Sequence, residues 1–216
     1  MAEYYFDIET YSPGEKPNPD NDKIITIQFQ RIDLRTGKSI GELRILREWD
    51  SSEKYIVTEF YNTFFRDGLH IFDFVAVGFG LNFEWEFLIS KFEKYFGKKI
   101  SSRELHYSRP HVDIKPIIVL LNNGSFKEAK LDKFTKKQSD GKVIKQMYEN
   151  REWENIDNYI KKEAEAFLEF LQNFENYFVK KGKKGSRLTA YRITNPGLQE
   201  GVKLIKQIGG KNESTN

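Results

Sequence analysis

The chain has 216 residues, of which 38% are hydrophobic and 15% aromatic, and a net charge of +3. That suits one large domain, or a domain with a tail, and the modest charge allows a nucleic-acid partner without demanding one. No run of roughly 18 apolar residues offers a membrane span, no charged-apolar-small leader marks secretion, and the absence of cysteine removes disulfides, thiolate zinc sites and cysteine nucleophiles and fits a cytoplasmic protein.

The first element is a strand over residues 3–9, EYYFDIE, rich in aromatic and β-branched residues. Alternation puts Tyr5, Asp7 and Glu9 on one face and Tyr4, Phe6 and Ile8 on the other. Two same-face acids at the end of a strand have two readings. On a surface strand they simply face water. In a buried strand their desolvation is costly unless a cation cancels the charge. The Pro-, Gly- and Asx-rich stretch 12–22 predicts a long turn. KIITIQFQRID (23–33) alternates as a second strand and residues 40–49 as a third, so three strands form an antiparallel meander.

A helix is expected from Ser51 or Ser52 as N-cap. HIFDFVAVGFG (70–80) is a nearly continuous apolar run, as in a central strand. NFEWEFLISKFEKYFG (82–97) is a helix stopped by Gly97. A short strand ends near Asp113, and a helix starts at Lys115–Pro116. Asp113 suits the helix N-cap better than a ligand position. Next come a short helix near 128–136, a loop through SDGK, a helix over VIKQMYEN and a long helix over about 152–180. The order is that of an α/β fold with a mixed sheet flanked by helices. The domain is expected to span 1–180, followed by a basic, flexible tail over 181–216. Charged residues make up 31%, mostly Lys and Glu, a bias of hyperthermophile kind.

Further acids stand near strand and helix ends. Glu84 opens the helix that follows the central strand, where α/β sheets bind ligands. In the long helix, Tyr159 and Glu163 are spaced i, i+4 and share a face with Ile156, Phe167 and Phe170. The bland reading of Glu163 is a solvated acid on a Lys/Glu-rich helix.

These stretches resemble the 3′–5′ exonuclease domain of family B DNA polymerases, over roughly residues 3–175. YYFDIETYSPGEKPNPDNDKIITIQF resembles the first exonuclease motif, GFGLNFEWEFL the second and NYIKKEAEAF the third, Tyr-x-x-x-Asp. The first is the most specific. GSFKEAKLDKF and GKVIKQMYENREWENIDNYI resemble stand-alone relatives of that domain. The resemblance implies a ribonuclease H-like fold, 3′–5′ exonuclease activity and four carboxylates holding two Mg²⁺ or Mn²⁺ ions. It also implies single-stranded DNA or 3′ ends as partner. With no polymerase domain in the chain, proofreading or repair would involve a separate polymerase or repair protein.

Asp7 and Glu9 match the first-motif acids. Glu84 and Glu163 stand where the family has Asp, Gly80 where it commonly has Asn, and Tyr159 matches the motif tyrosine. Asn158, five residues before Glu163, rules out the histidine variant. Each Asp-to-Glu change moves a carboxylate by about 1.5 Å. A weak or inactive exonuclease fold that binds nucleic acid or serves as a scaffold therefore stays open. So does a nuclease of this fold acting on RNA or branched DNA. For nucleic-acid contacts, Phe83 could stack on a terminal base, and Lys181, Lys183, Lys184 and Arg187 could meet phosphates.

Overall fold

In the computed structural model, residues 2–173 are described apart from 102, 106–108, 123, 128 and 130–141. Six strands make one sheet: β1 (Glu3–Tyr11), β2 (Lys23–Asp33), β3 (Lys38–Ser39), β4 (Arg44–Arg47), β5 (Val75–Gly78) and β6 (His111–Asp113). The order is β3-β2-β1-β5-β6, and β4 also pairs with β2. β1 and β2 are antiparallel, whereas β5 runs parallel to both β1 and β6. The helices are α1 (Glu53–Phe64), α2 (Asn82–Phe96), α3 (Lys115–Leu121), α4 (Lys142–Glu149) and α5 (Trp153–Gln172). This is the expected mixed α/β sheet with its antiparallel start.

The alternation of β1 separates two cores. Phe6 and Ile8 face α1 and α2, where Phe6 packs on Phe60 and Trp85 at ring separations of 5.3 and 5.4 Å. Tyr5, on the opposite face, packs on Phe167 of α5 at 5.1 Å. The acids of β1 therefore face α5. The turn from β5 into α2 needs Gly78. A Cβ there would lie 2.5 Å from Leu81 and 2.8 Å from the Phe6 carbonyl, so glycine lets the turn press against β1. Lys91 of α2 is fully buried. Its ammonium donates to the carbonyls of Pro19 and Asp22 and lies 3.5 Å from Glu53, which ties the proline-rich turn to α2.

Three expectations are corrected. The strand expected over 40–49 is only β4, because the chain bends away from β2 after β3 (Lys38–Ser39) and pairs with it again at Arg44. The strand over 70–80 begins only at Val75. Before it lies a 3₁₀ turn, Ile71–Asp73, whose capping box joins the His70 ring to the Phe72 N–H and Asp73 to the His70 N–H. Asp113 is not the N-cap of α3. Ile114 holds that position, and Asp113 precedes it. Ser52 is the cap of α1. The helix expected near 128–136, the reach of the long helix beyond 173, and the tail with Lys181, Lys183, Lys184 and Arg187 lie outside the described residues. No helix among the described residues is long and apolar enough to cross a membrane.

Candidate active site

The acids come from three elements. β1 extends Asp7 and Glu9 toward α5, whose inward stripe carries Tyr159 and Glu163. One carboxylate oxygen each from Asp7, Glu9 and Glu163 lies within 4.8 Å of the others. All three residues are half-buried. Glu84, in the first turn of α2, is only 5% exposed. Its neighbours are Asp7 and Asp113. Burial, and then the charge of Asp7, push its pKa well above the usual carboxylate range. Its Oε2 is buried without a hydrogen-bond partner. The side chain also hydrogen-bonds its own backbone N–H and Asp7, which holds it at the start of α2 toward the other acids.

Position on the α5 side is set by a bidentate pair. Arg47 of β4 donates from Nε to Asp157 Oδ1 at 2.8 Å and from its terminal nitrogen to Oδ2 at 2.7 Å. This clamps the first half of α5 to the sheet, two residues before Tyr159. Tyr159 is 8% exposed, and its hydroxyl is hydrogen-bonded to Glu163. Burial first, then the charges of Glu9 and Glu163, push the phenol far above its ordinary pKa. It is a proton donor throughout the working range and not a base.

Some site residues were not assigned from sequence. Tyr5 donates to Asp7 Oδ2 at 3.3 Å, and its phenol is also raised, by burial and then by Asp7. Its i, i+2 spacing to Asp7 was the available signal. Asp113 Oδ1 accepts from the Gly80 N–H at 2.8 Å and from the Lys115 N–H at 2.9 Å, which fixes the loop leading to Glu84. Gly80, with φ of 81°, supplies the left-handed turn that this loop needs. Gln28 and Thr26 pair in register with Asp7 and Glu9 and are wholly buried. The Thr26 hydroxyl donates to Gln28 Oε1 at 2.9 Å, and Gln28 Nε2 has no partner. Polar residues interrupting the apolar pattern of KIITIQFQ were the clue. Phe83 is half-buried and packs on Phe87 at 4.8 Å.

The donor set suits hard divalent cations, since it is carboxylate oxygen throughout. The orphaned Glu84 oxygen and the raised carboxyl beside Asp7 are what a cation would relieve. Asp7, Glu9, Glu84 and Glu163 fit such a group.

The fold has known counterparts. The family B DNA polymerase of the hyperthermophilic archaeon Pyrobaculum calidifontis superposes over 81% of this chain with a TM-score of 0.53 at 13% identity. The fold is ribonuclease H-like. The resemblance read from the three motifs therefore holds at the level of fold. Two solved structures of E. coli exonuclease I also match. One is a complex with a dT13 oligonucleotide (12% identity, TM-score 0.42, 56% of this chain). The other is a zinc-bound complex with single-stranded DNA (13%, 0.47, 62%). The matched region spans 24% of the polymerase and 29% and 34% of the two exonuclease chains. No protein-family model matches the sequence, and no curated protein does.

Proposed function

We propose that the chain is a metal-dependent 3′–5′ exonuclease that hydrolyses phosphodiester bonds of single-stranded DNA. The observation that carries this is the cluster of Asp7, Glu9 and Glu163, with buried Glu84 against Asp7 and one of its oxygens unpartnered. Two divalent cations, Mg²⁺ or Mn²⁺, would supply an activated water and charge relief for the leaving oxygen. The chain's own residues do the rest. Asp7, Glu9, Glu84 and Glu163 would hold the cations. The Tyr159 hydroxyl, kept protonated, orients the attacking water while Glu163 holds its ring in place. Asp113 and Gly80 keep the Glu84 loop rigid, as a site with tolerances of about 0.5 Å requires. Phe83, in the same helical turn as Glu84, would meet the terminal base, and the basic residues Lys181, Lys183, Lys184 and Arg187 would meet phosphates. A polymerase or repair protein supplying 3′ ends is the matching partner.

The test is an oligonucleotide labelled at its 5′ end and incubated with Mg²⁺ or Mn²⁺, with and without chelator. A metal-dependent ladder shortening from the 3′ end supports the reading. Binding without any ladder in either metal leaves a binding-only protein and overturns it.

A further inference from the structure

Past Glu9, β1 carries Tyr11 to the edge of a cavity of about 530 Å³. Four half-buried aromatic side chains line it: Tyr11, Trp49, Tyr148 and Trp153. Trp49 and Trp153 stack almost flat, 4.8 Å apart at 11°. Tyr11 and Tyr148 lie 4.8 Å apart, and Tyr148 meets Trp153 edge-on at 5.4 Å. The phenols are anchored. Tyr11 donates to Glu149 at 3.2 Å, and Tyr148 donates to Glu48 at 2.7 Å. Glu48 is also paired with Lys23 at 3.0 Å. The rings are thus held in fixed planes, and one of the two acids at the rim is already neutralised.

The remaining wall is Arg151. It stands in the reversal between α4 and α5 with φ of 59°, the one non-glycine residue of positive φ among the described residues. A glycine or asparagine would sit there with less strain. Its side chain is exposed, and among the described residues no carboxylate lies within ion-pair distance of its guanidinium. A strained backbone holding an unpaired cation at the wall of an aromatic cavity is a ligand-binding arrangement rather than a packing one.

We infer that this cavity is a nucleotide subsite, with a base stacked on the aromatic rings and a phosphate on Arg151. Flat apolar faces take a base of any sequence, and a guanidinium fork fits a phosphate. The location fits a strand already engaged by the acids. Tyr11 is two strand residues beyond Glu9, roughly 6.8 Å, and Trp153 is ten helical residues from Glu163, roughly 15 Å. A strand with its 3′ end at the acids would lay an upstream nucleotide here. That orientation rests on the nuclease reading, whereas the nucleotide chemistry does not. A free mononucleotide shares that chemistry.

The experiment uses the full chain in EDTA, so that nothing is cut. Binding of a 5′-fluorescein oligodeoxyadenylate is followed by anisotropy across salt concentrations, with dAMP as competitor, for wild type, Arg151→Gly and Trp49→Leu. Arg151→Gly should melt no lower than wild type, because glycine takes this backbone freely. Its oligonucleotide affinity should fall about fivefold or more, with a salt slope shallower by about 0.7. Trp49→Leu should lose about fivefold or more through stacking alone, with the slope unchanged. Competition by dAMP that weakens in parallel identifies a free nucleotide as occupant, and loss confined to the oligonucleotide identifies a strand. If both folded variants bind like wild type with the same slope, the inference fails. Cleavage by a wild type whose variants bind normally would sink the subsite and leave the nuclease standing. Binding losses in a protein that cuts nothing would do the reverse.

Discussion

Replacing Glu84 by Gln should stabilise the metal-free protein. Oε2 of Glu84 is buried without a partner, beside Asp7 and within the field of Asp113. An unsatisfied buried polar group costs about 1–3 kcal/mol, and a charged one more. The amide removes the charge and can donate to Asp7, so a gain of about 1–3 kcal/mol is expected near pH 8 in chelator. At about 2–4 °C per kcal/mol for a chain of this size, the melting temperature should rise by about 2–12 °C. The pH dependence follows from the raised pKa. The folded carboxyl keeps its proton where the unfolded one, at its ordinary value of 4.5, has lost it. The stabilisation is therefore full below the unfolded pKa and is lost as pH rises through the folded one. Wild type in EDTA should melt higher near pH 5 than near pH 8, and Glu84→Gln should flatten that fall. Mn²⁺ should reverse the ranking near pH 8, since a ligand at a hundredfold of its Kd adds about 2.7 kcal/mol. Thermal melts by circular dichroism at the two pH values, with EDTA or Mn²⁺, read all of this. A variant melting below wild type in EDTA near pH 8 would refute the reasoning and make Glu84 a structural acceptor.

Asp7→Ala should abolish cleavage in the labelled-oligonucleotide assay while melting at or above the wild-type temperature, because one of several crowded acids is removed. Glu84→Asp and Glu163→Asp should each slow cleavage, more in Mg²⁺ than in Mn²⁺, since each carboxylate retreats by about 1.5 Å. A double variant faster than wild type in single-turnover rates would instead mark a decayed site. Arg47→Ala breaks the clamp on α5 and should cost about 1.5–3 kcal/mol in urea unfolding. It should also lower kcat, because Tyr159 and Glu163 ride on that helix.

The sequence made the inward-facing acids legible because strands and helices have fixed periods. Spacing of two put Asp7 and Glu9 on one face of β1, and spacing of four put Tyr159 and Glu163 on one face of α5. What joins β1 to α5 is tertiary and had no local signature. The Arg47–Asp157 clamp spans 110 residues. Asp113 read as a helix cap because an acid before Lys-Pro suits one, and only folding brings the Gly80 N–H within its reach. The strand over 70–80 was overextended because a 3₁₀ turn leaves no clear period in an apolar run. The aromatic cavity draws on Tyr11, Trp49, Tyr148 and Trp153. These lie on three separate stretches of chain, and each alone reads as core.

The central claim is that Asp7, Glu9, Glu84 and Glu163 together hold a catalytic metal pair. A crystal structure of the full chain grown in Mn²⁺, with anomalous data, tests it most directly. The account predicts two manganese peaks about 3.5–4 Å apart beside Asp7, with an oxygen of Glu84 in the coordination of at least one. Crystals saturated with Mn²⁺ that show no peak between β1 and α5, with Glu84 Oε2 still unpartnered, would contradict it.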